Sequence, residues 1–158
     1  LLFLPIANKE KLANKLARIK LLVIDVDGVM TDGGMYFTEG GDEMKKFNTK
    51  DGMGILKLRD SAIEVGIISS GFSSEIVQKR ADMLGIKNCY VGRDSKMSVL
   101  QTWIKEKDLS LNEIAMIGDD INDKEVMSNI GLSACPDNAV NEIKSIAHVI
   151  LKHKGGEG

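Results

Sequence analysis

Short apolar runs alternate along the chain with longer segments whose apolar residues recur at helical spacing. The apolar runs predict strands at residues 20–26, 64–69, 87–92, 113–119, 131–136 and 147–151. The longer segments predict helices at residues 52–61, 74–84, 95–108, 122–129 and 138–145. Strands that are apolar along nearly their whole length are typical of a parallel sheet with both faces covered. The pattern therefore predicts a three-layer α/β fold with a mainly parallel sheet.

One segment breaks this alternation. Residues 34–38 and 43–48 flank EGGD, whose composition is typical of a hairpin turn. The predicted hairpin follows the first strand directly, at the edge where an open α/β sheet places its ligand site. We also predict that Asp51 caps the helix after the hairpin. Ser73 or Ser74 is predicted to cap the next helix, which ends at Gly85.

Composition indicates a soluble globular protein. The 158 residues suit one domain over residues 1–158 with a single core, and 43% of them are apolar against 28% charged. A net charge of −2 and a pI of about 5.7 provide no basic surface for nucleic acid. No apolar run reaches the roughly 18 residues that span a bilayer, so we expect no membrane partner.

The termini and the cysteines bear on organisation and location. Residues 1–19 are predicted to form an N-terminal helix or linker. We do not expect a signal peptide, because the apolar residues of this segment precede its lysines, whereas a signal peptide has its charges first. Since the chain starts without Met and ends in GGEG, we expect trimmed ends or a domain cut from a longer chain. Cys89 and Cys135 form no CxxC pattern, so we expect reduced core thiols in a cytoplasmic protein.

The first strand ends in two acids. Residues 21–28 read LLVIDVDG, so Asp25 and Asp27 stand at the carboxyl tip of the strand and on one side of it. Two carboxylates this close repel each other unless a cation lies between them. An aspartate that caps a turn is the simpler alternative, but capping needs one carboxylate rather than two. The pair therefore favours a divalent-metal or phosphoryl site.

A second strand also ends in acids. The run EIAMI precedes Asp119, Asp120 and, one helical turn later, Asp123. Taken alone, this group is also compatible with acids that favour a helix N-terminus. Two acidic strand tips together supply several hard oxygen ligands. Because no His or Cys is nearby, they favour Mg²⁺ over zinc.

A phosphate beside these acids needs cationic or hydrogen-bonding groups. Ser69, Ser70 and Gly71 lie at the end of the strand at 64–69, where they can offer a hydroxyl and backbone N–H groups at a helix N-terminus. Lys96 opens a helix and can supply positive charge. Turn chemistry for the serines and a solvated side chain for the lysine are the alternatives when each is taken alone.

The order of these groups resembles the haloacid dehalogenase (HAD) superfamily of phosphohydrolases. The resemblance rests on DVDGVMT at residues 25–31, the serine after VGII, Lys96, and GDDIND at residues 118–123. It implies a Rossmann-like HAD fold and a Mg²⁺-dependent phosphatase that works through an aspartyl phosphate. Lys96 and Ser69 would then neutralise the phosphate oxygens.

The same resemblance implies a role for each acid. Asp25 is the implied nucleophile, and Asp27 is the implied general acid and base. The implied Mg²⁺ ligands are the Asp25 carboxylate, the backbone carbonyl of Asp27, and Asp119. Asp120 or Asp123 is expected to bind Mg²⁺ through water or to orient the lysine.

Residues 26–55 resemble a narrower, capless branch of the superfamily. This branch includes 3-deoxy-D-manno-octulosonate (KDO) 8-phosphate phosphatases, sialic-acid or KDN 9-phosphate phosphatases, and phosphatase-like domains fused behind acylneuraminate cytidylyltransferases. It implies a hairpin flap over residues 33–48, no cap domain, and a homotetramer in which each flap covers a neighbouring active site. Residues 152–158 resemble the start of the C-terminal tail of this branch.

The substrate stays open between KDO 8-phosphate and a nine-carbon sugar acid 9-phosphate. Where the family usually has Thr-Gly-Arg, this chain has SSGF, so the motif hydroxyl is Ser69 or, counted back from the following helix, Ser70. The absent arginine argues against the octulosonate, and KKFNT leans toward nine carbons. Lys50 is a candidate contact for the substrate carboxylate, whereas Lys45 and Lys46 are predicted to be solvated.

Two other classes compete with this interpretation. A response-regulator receiver domain combines acids, a hydroxyl, a lysine and Mg²⁺, but its phosphorylated aspartate lies on a later strand than its acid pair. The second is a weakly active or non-catalytic tetramerising domain of a sialic acid cytidylyltransferase. Some such domains have lost motif acids, whereas Asp25, Asp27, Lys96 and Asp119 are all present here, which favours activity.

Overall fold

The computed structural model describes residues 6–72 and 74–158, with side chains from Lys9 onward. The strands are β1 Leu21–Ile24, β2 Tyr36–Phe37, β3 Glu43–Met44, β4 Glu64–Ser69, β5 Asn88–Val91, β6 Ile114–Ile117, β7 Leu132–Cys135 and β8 Val149–Ile150. The helices are α1 Ile6–Leu16, α2 Thr49–Asp60, α3 Ser74–Leu84, α4 Lys96–Lys107, α5 Lys124–Asn129 and α6 Asn141–Lys144. Ser73 and the first five residues of the predicted N-terminal helix or linker lie outside the described residues.

Six strands form one parallel sheet in the order β5-β4-β1-β6-β7-β8. Strand β1 lies at the centre, where Ile24 is opposite Ile67 of β4 on one side and Ile117 of β6 on the other. The chain builds outward through β4 and β5, then returns to the other side of β1 for the remaining strands. Open α/β sheets place their ligand crevice at such a reversal, outside the carboxyl ends of the strands.

Successive residues of β1 point to opposite faces of the sheet. Val23 belongs to a buried cluster that includes Leu100 of α4, whereas Ile24 belongs to a second cluster that includes Val77 of α3. Helices therefore cover both faces beside the central strand. This arrangement confirms the predicted three-layer α/β fold with a mainly parallel sheet.

The predicted hairpin is present between β1 and α2. Strands β2 and β3 pair antiparallel, with Tyr36 opposite Met44. Both strands are shorter than predicted. Thr38 N donates to Asp42 O at 2.9 Å and Gly41 N donates to Thr38 O at 3.0 Å, so Thr38 belongs to the turn. No cap domain interrupts this connection, which consists of the hairpin and its flanking loops.

One predicted helix cap is wrong, and a second prediction stays open. Helix α2 is capped by Asn48, whose Oδ1 accepts from Lys50 N at 3.0 Å, so the helix starts earlier and Asp51 lies within its first turn. For α3, Ser74 is the first residue of the helix, and the alternative cap Ser73 lies outside the described residues, so that prediction stays open. Gly85 follows α3 at φ 63°, which confirms the predicted glycine end.

Residues 152–158 pack against the loop that follows β1. Gly156 N donates to Val29 O at 3.0 Å, and Gly155 N donates to Asn138 Oδ1 at 2.9 Å. A Cβ at Gly155 would collide with the backbone carbonyl of Gly28. This segment therefore lies directly behind the tip of the first strand.

The thiols agree with part of the composition argument. Both cysteines are free, with Cys135 buried and Cys89 partly exposed, so the core position is confirmed for Cys135. Within residues 6–72 and 74–158, no helix combines the length and the apolar character that crossing a bilayer requires.

Candidate active site

The two acidic strand tips converge as predicted. Asp25 follows β1 and donates its backbone N–H to Ile117 O of β6 at 3.0 Å, which holds the two tips side by side. One carboxylate oxygen from each of Asp25, Asp119 and Asp123 lies within 4.8 Å of the others. The cluster is sheltered from solvent, since Asp25 is 4% exposed and Asp123 is fully buried.

The loop after β1 is shaped to admit this cluster. Gly28 has φ 87°, and a Cβ at this position would meet the Asp119 carboxylate. The buried hydroxyl of Thr31 donates to Val26 O at 3.3 Å and accepts from Gly28 N at 3.4 Å. The Asp-Val-Asp-Gly turn is therefore held from inside, which fixes the direction of its acids.

Lys96 is a member of the cluster rather than a solvated residue. Its Nζ lies 2.8 Å from Asp25 Oδ1 and 2.6 Å from Asp123 Oδ1, and the residue is 3% exposed. Burial alone would lower the pKa of Lys96, but the two carboxylates raise it above its ordinary value. The ammonium thus stays charged at the base of the site, and the solvated alternative is wrong.

Asp123 and Asp120 have different surroundings. Besides Lys96, Asp123 accepts through Oδ2 from Asp119 N at 2.9 Å and from Asp120 N at 3.3 Å. Both of its oxygens are therefore committed to protein donors. Asp120 is exposed, and its Oδ1 accepts from Ile121 N at 2.7 Å at the start of the short 3₁₀ turn Ile121–Asp123. Of the two, it is Asp123 that contacts the lysine.

The charges of the cluster fit a divalent cation. Three carboxylates face one ammonium, which leaves two negative charges uncompensated when all are ionised. Burial first, and then Asp25 and Asp123, raise the pKa of Asp119 to about 7, while burial also raises that of Asp25. Asp119 Oδ1 is buried without a hydrogen-bond partner among the described residues. Hard oxygen donors with unmet negative charge are the ligands that Mg²⁺ prefers.

The two candidate serines are separated by burial. Ser69 is 2% exposed at the tip of β4, and its Oγ accepts from Gly71 N at 3.3 Å. Ser70 is exposed, and its Oγ accepts from Asn122 Nδ2 at 3.2 Å. A Cβ at Gly71 would lie 3.3 Å from Asp27 Oδ2. Ser69 and Gly71 therefore face the tip of β1, whereas Ser70 points outward.

Lys45 is the residue of this site that sequence reasoning missed. It was predicted to be solvated, but its Nζ lies 2.6 Å from Asp27 Oδ1 and 2.9 Å from Glu43 Oε1, and its side chain is 7% exposed. The available signal was the alternation along the hairpin strand, in which Glu43 and Lys45 share one face while Met44 and Lys46 point outward. The flap therefore carries a cation to Asp27, beyond the tip of β1.

Lys50 lies away from the acids. Together with Gly158 it lines a largely apolar cavity of about 940 Å³ beneath α2. Within residues 6–72 and 74–158, no ion pair joins Lys50 to the acidic cluster. The structure thus brings together Asp25, Asp27, Ser69, Gly71, Lys96, Asp119 and Asp123, and it leaves Lys50 outside.

Comparison with known proteins agrees with the resemblance of the sequence motifs to the HAD superfamily. The haloacid dehalogenase-like hydrolase family matches residues 90–158. The chain is 37% identical over 154 residues to 3-deoxy-D-manno-octulosonate 8-phosphate phosphatase KdsC of Yersinia pestis, a match that covers 98% of this chain and 81% of that protein.

Solved structures agree with this match. The crystal structure of 3-deoxy-D-manno-octulosonate 8-phosphate phosphatase from Moraxella catarrhalis, in complex with a magnesium ion, a phosphate ion and KDO, has a TM-score of 0.89 at 32% identity, over 93% of this chain and 84% of that one. A probable YrbI-family phosphatase from Pseudomonas syringae has a TM-score of 0.91 at 42% identity, over 94% and 84%. This chain therefore belongs to the haloacid dehalogenase-like hydrolases, within the phosphatase family that these relatives represent.

Proposed function

We propose that the protein is a Mg²⁺-dependent phosphatase that releases phosphate from a 3-deoxy-2-keto sugar acid phosphate. The observation that carries the proposal is the buried convergence of Asp25, Asp119 and Asp123 on Lys96 at the carboxyl edge of the central strands. Such a cluster costs folding free energy unless a cation completes it. A binding site for a metal and a phosphoryl group accounts for that cost.

Asp25 is the proposed nucleophile. One of its carboxylate oxygens forms a bond to phosphorus as the bond from phosphorus to the sugar oxygen breaks, which leaves an aspartyl phosphate. The charge of the transferring phosphoryl group is spread over its equatorial oxygens. Lys96 Nζ lies 2.8 Å from Asp25 Oδ1, and the buried Ser69 ends the neighbouring strand β4. Both are the proposed preorganised donors that stabilise this charge.

Asp27 is the proposed general acid and base. It gives its proton to the departing sugar oxygen in the first step, and in the second step it takes a proton from the water that attacks phosphorus. The second step releases inorganic phosphate and restores the Asp25 carboxylate. Asp27 suits this role because its side chain is 42% exposed beside the buried acids, within reach of a leaving group and water.

The residues that would hold Mg²⁺ are the Asp25 and Asp119 carboxylates and the backbone carbonyl of Asp27. Asp119 Oδ1, which has no hydrogen-bond partner among the described residues, supports this choice. Asp123 braces Lys96 and the backbone instead of binding the metal, because both of its oxygens accept from protein donors. When bound, Mg²⁺ supplies positive charge against the phosphoryl oxygens.

The family relatives favour a KDO-type substrate. The matched proteins from Yersinia pestis and Moraxella catarrhalis are named for KDO 8-phosphate, and the latter structure contains KDO. In this chain the SSGF stretch that replaces the family's Thr-Gly-Arg carries no arginine, but the Arg93 guanidinium lies 5.0 Å from the centre of the Phe72 ring. This exposed cation, beside the loop that follows β4, suits the carboxylate of a sugar acid, either the eight-carbon 8-phosphate or a nine-carbon 9-phosphate.

A homotetramer in which the flap covers a neighbouring site is part of the proposal. Met35, Phe37 and Met44 of the flap are 76%, 55% and 52% exposed, an apolar surface that a partner subunit would cover. Size-exclusion chromatography with light scattering measures this assembly directly. A monomer at micromolar concentration would contradict the proposed assembly without affecting the proposed chemistry.

Phosphate release from KDO 8-phosphate and from nine-carbon 9-phosphates, with Mg²⁺ and after its removal by chelation, tests the function. We expect turnover of at least one sugar acid phosphate that disappears with chelator and returns with Mg²⁺. Asp25→Asn should lower kcat by about 10⁴-fold or more while the protein stays folded. Near-normal turnover in that variant would refute the nucleophile assignment, and no turnover of any phosphomonoester would refute the function.

A further inference from the structure

We propose that Lys45 is a positioning residue, which ties the flap to Asp27 and aims the carboxylate of Asp27 into the active site. The inference rests on the proposed function, in which Asp27 transfers protons. It starts from the ion pair between Lys45 Nζ and Asp27 Oδ1 at 2.6 Å, which joins two elements 18 positions apart in the chain.

The two oxygens of Asp27 face different partners. Oδ1 is bound by Lys45, whereas Oδ2 lies on the side of Gly71, where an added Cβ would approach it to 3.3 Å. Gly71 is bonded through its backbone N–H to the Ser69 hydroxyl. Holding one oxygen on the flap therefore turns the other toward the loop where the phosphate is expected, which is the orientation that proton transfer needs.

Lys45 is itself held in place. Glu43, on the same face of the hairpin strand, lies 2.9 Å from the Lys45 ammonium, and the lysine side chain is 7% exposed. A flexible lysine free in solvent would not define the direction of a carboxylate, because it loses side-chain entropy on pairing. The triad of Glu43, Lys45 and Asp27 removes that freedom and couples the flap to the strand tip.

The neighbouring lysine provides a matched control. Lys46 has the same charge on the same hairpin, but its side chain is 68% exposed and its Nζ lies 3.6 Å from Asp32, on the outer face. Lys46→Met therefore changes the net charge by the same amount as Lys45→Met, but it leaves the ion pair of Asp27 intact. Differences between the two variants report the position of the charge rather than its loss.

The kinetic prediction follows from what Asp27 does in each step. With p-nitrophenyl phosphate the leaving group needs little protonation, so attack by Asp25 proceeds without a proton donor, whereas hydrolysis of the aspartyl phosphate still needs Asp27 as base. In Lys45→Met we expect a pre-steady-state burst of nitrophenolate and an accumulating phosphoenzyme, visible by intact mass. Steady-state kcat with p-nitrophenyl phosphate should fall by about 10–100-fold, as expected for a misdirected catalytic group. KM should fall with it, because kcat/KM reports only the steps up to the phosphoenzyme.

The experiment compares wild type, Lys45→Met, Lys45→Arg and Lys46→Met with p-nitrophenyl phosphate and with KDO 8-phosphate. Lys45→Arg should recover much of the lost kcat, and Lys46→Met should resemble wild type. Hydrogen exchange of the amides over residues 36–44 should accelerate in Lys45→Met only, a readout that needs no turnover.

Three results would overturn the positioning role. An unchanged kcat without a burst in Lys45→Met would show that Asp27 does not depend on the flap. An equal loss in Lys46→Met would reduce the effect to overall charge. A rise in KM confined to KDO 8-phosphate would make Lys45 a direct ligand of the substrate carboxylate. Wild-type protein inactive toward these two substrates and toward nine-carbon 9-phosphates would refute the proposed function instead. Hydrogen exchange of the flap would then still test whether Lys45 ties the flap to Asp27.

Discussion

Replacement of Lys96 by methionine should destabilise the protein more than any exposed lysine can. Lys96 is 3% exposed, and its partners Asp25 and Asp123 are 4% and 0% exposed, so water cannot take the place of the lost ammonium. Removing one partner of a buried ion pair costs about 3–5 kcal/mol of unfolding free energy. At about 2–4 °C per kcal/mol for a chain of this size, the midpoint of thermal unfolding should fall by about 6–20 °C.

Thermal and urea unfolding in chelator-containing buffer measure this loss without metal binding. Lys105→Met is the matched control, since Lys105 lies on the same helix, is exposed and forms no ion pair among the described residues. The control should stay within about 0.5 kcal/mol of wild type. If Lys96→Met cost less than about 1 kcal/mol, the buried pairs would not have the strength that their geometry implies.

Two further predictions concern the loop after β1 and the far end of the sheet. Gly28→Ala should abolish measurable phosphatase turnover, because a Cβ at φ 87° is strained and meets the Asp119 carboxylate; near-normal kcat would contradict this. Burial, followed by Lys15 and Lys11, holds the pKa of His148 below its ordinary value, and its Nδ1 accepts from Ser133 N at 3.1 Å. The neutral form is therefore favoured in the folded state, so the His148 contribution to stability is complete above about pH 6.5 and declines as the pH falls. Urea unfolding should show the difference between wild type and His148→Gln shrinking from about pH 7.5 to 5.5; a constant difference would contradict the coupling.

The acidic tips could be predicted because the signal is local. An apolar run that ends in acids defines both a buried strand and the edge where its acids emerge, so Asp25 and Asp119 follow from short windows of sequence. Parallel pairing then brings the two tips together. Residues joined to this edge by neighbouring strands, such as Ser69, are predictable for the same reason.

The remaining site residues depend on partners that are distant in the chain. Lys96 opens a helix, where a lysine is slightly unfavourable, and only the fold brings it to Asp25 and Asp123. Lys45 has the composition of a solvated hairpin residue, and its partner Asp27 lies on another element. The predicted cap Asp51 is wrong because Asn48, three residues earlier, is the cap of α2. Both side chains can accept from a helix N-terminus, and the sequence does not distinguish between them.

The central claim is that carboxylates from two strand tips hold one divalent cation and leave a face open for a phosphate ester. Crystals grown with Mn²⁺, which shares the oxygen-ligand preference of Mg²⁺, allow the ion to be located by anomalous scattering. The account predicts one strong peak within coordination distance of the Asp25 and Asp119 carboxylates, with Lys96 still paired to Asp25. A peak held by other residues, or none between these two carboxylates at saturating Mn²⁺, would contradict it.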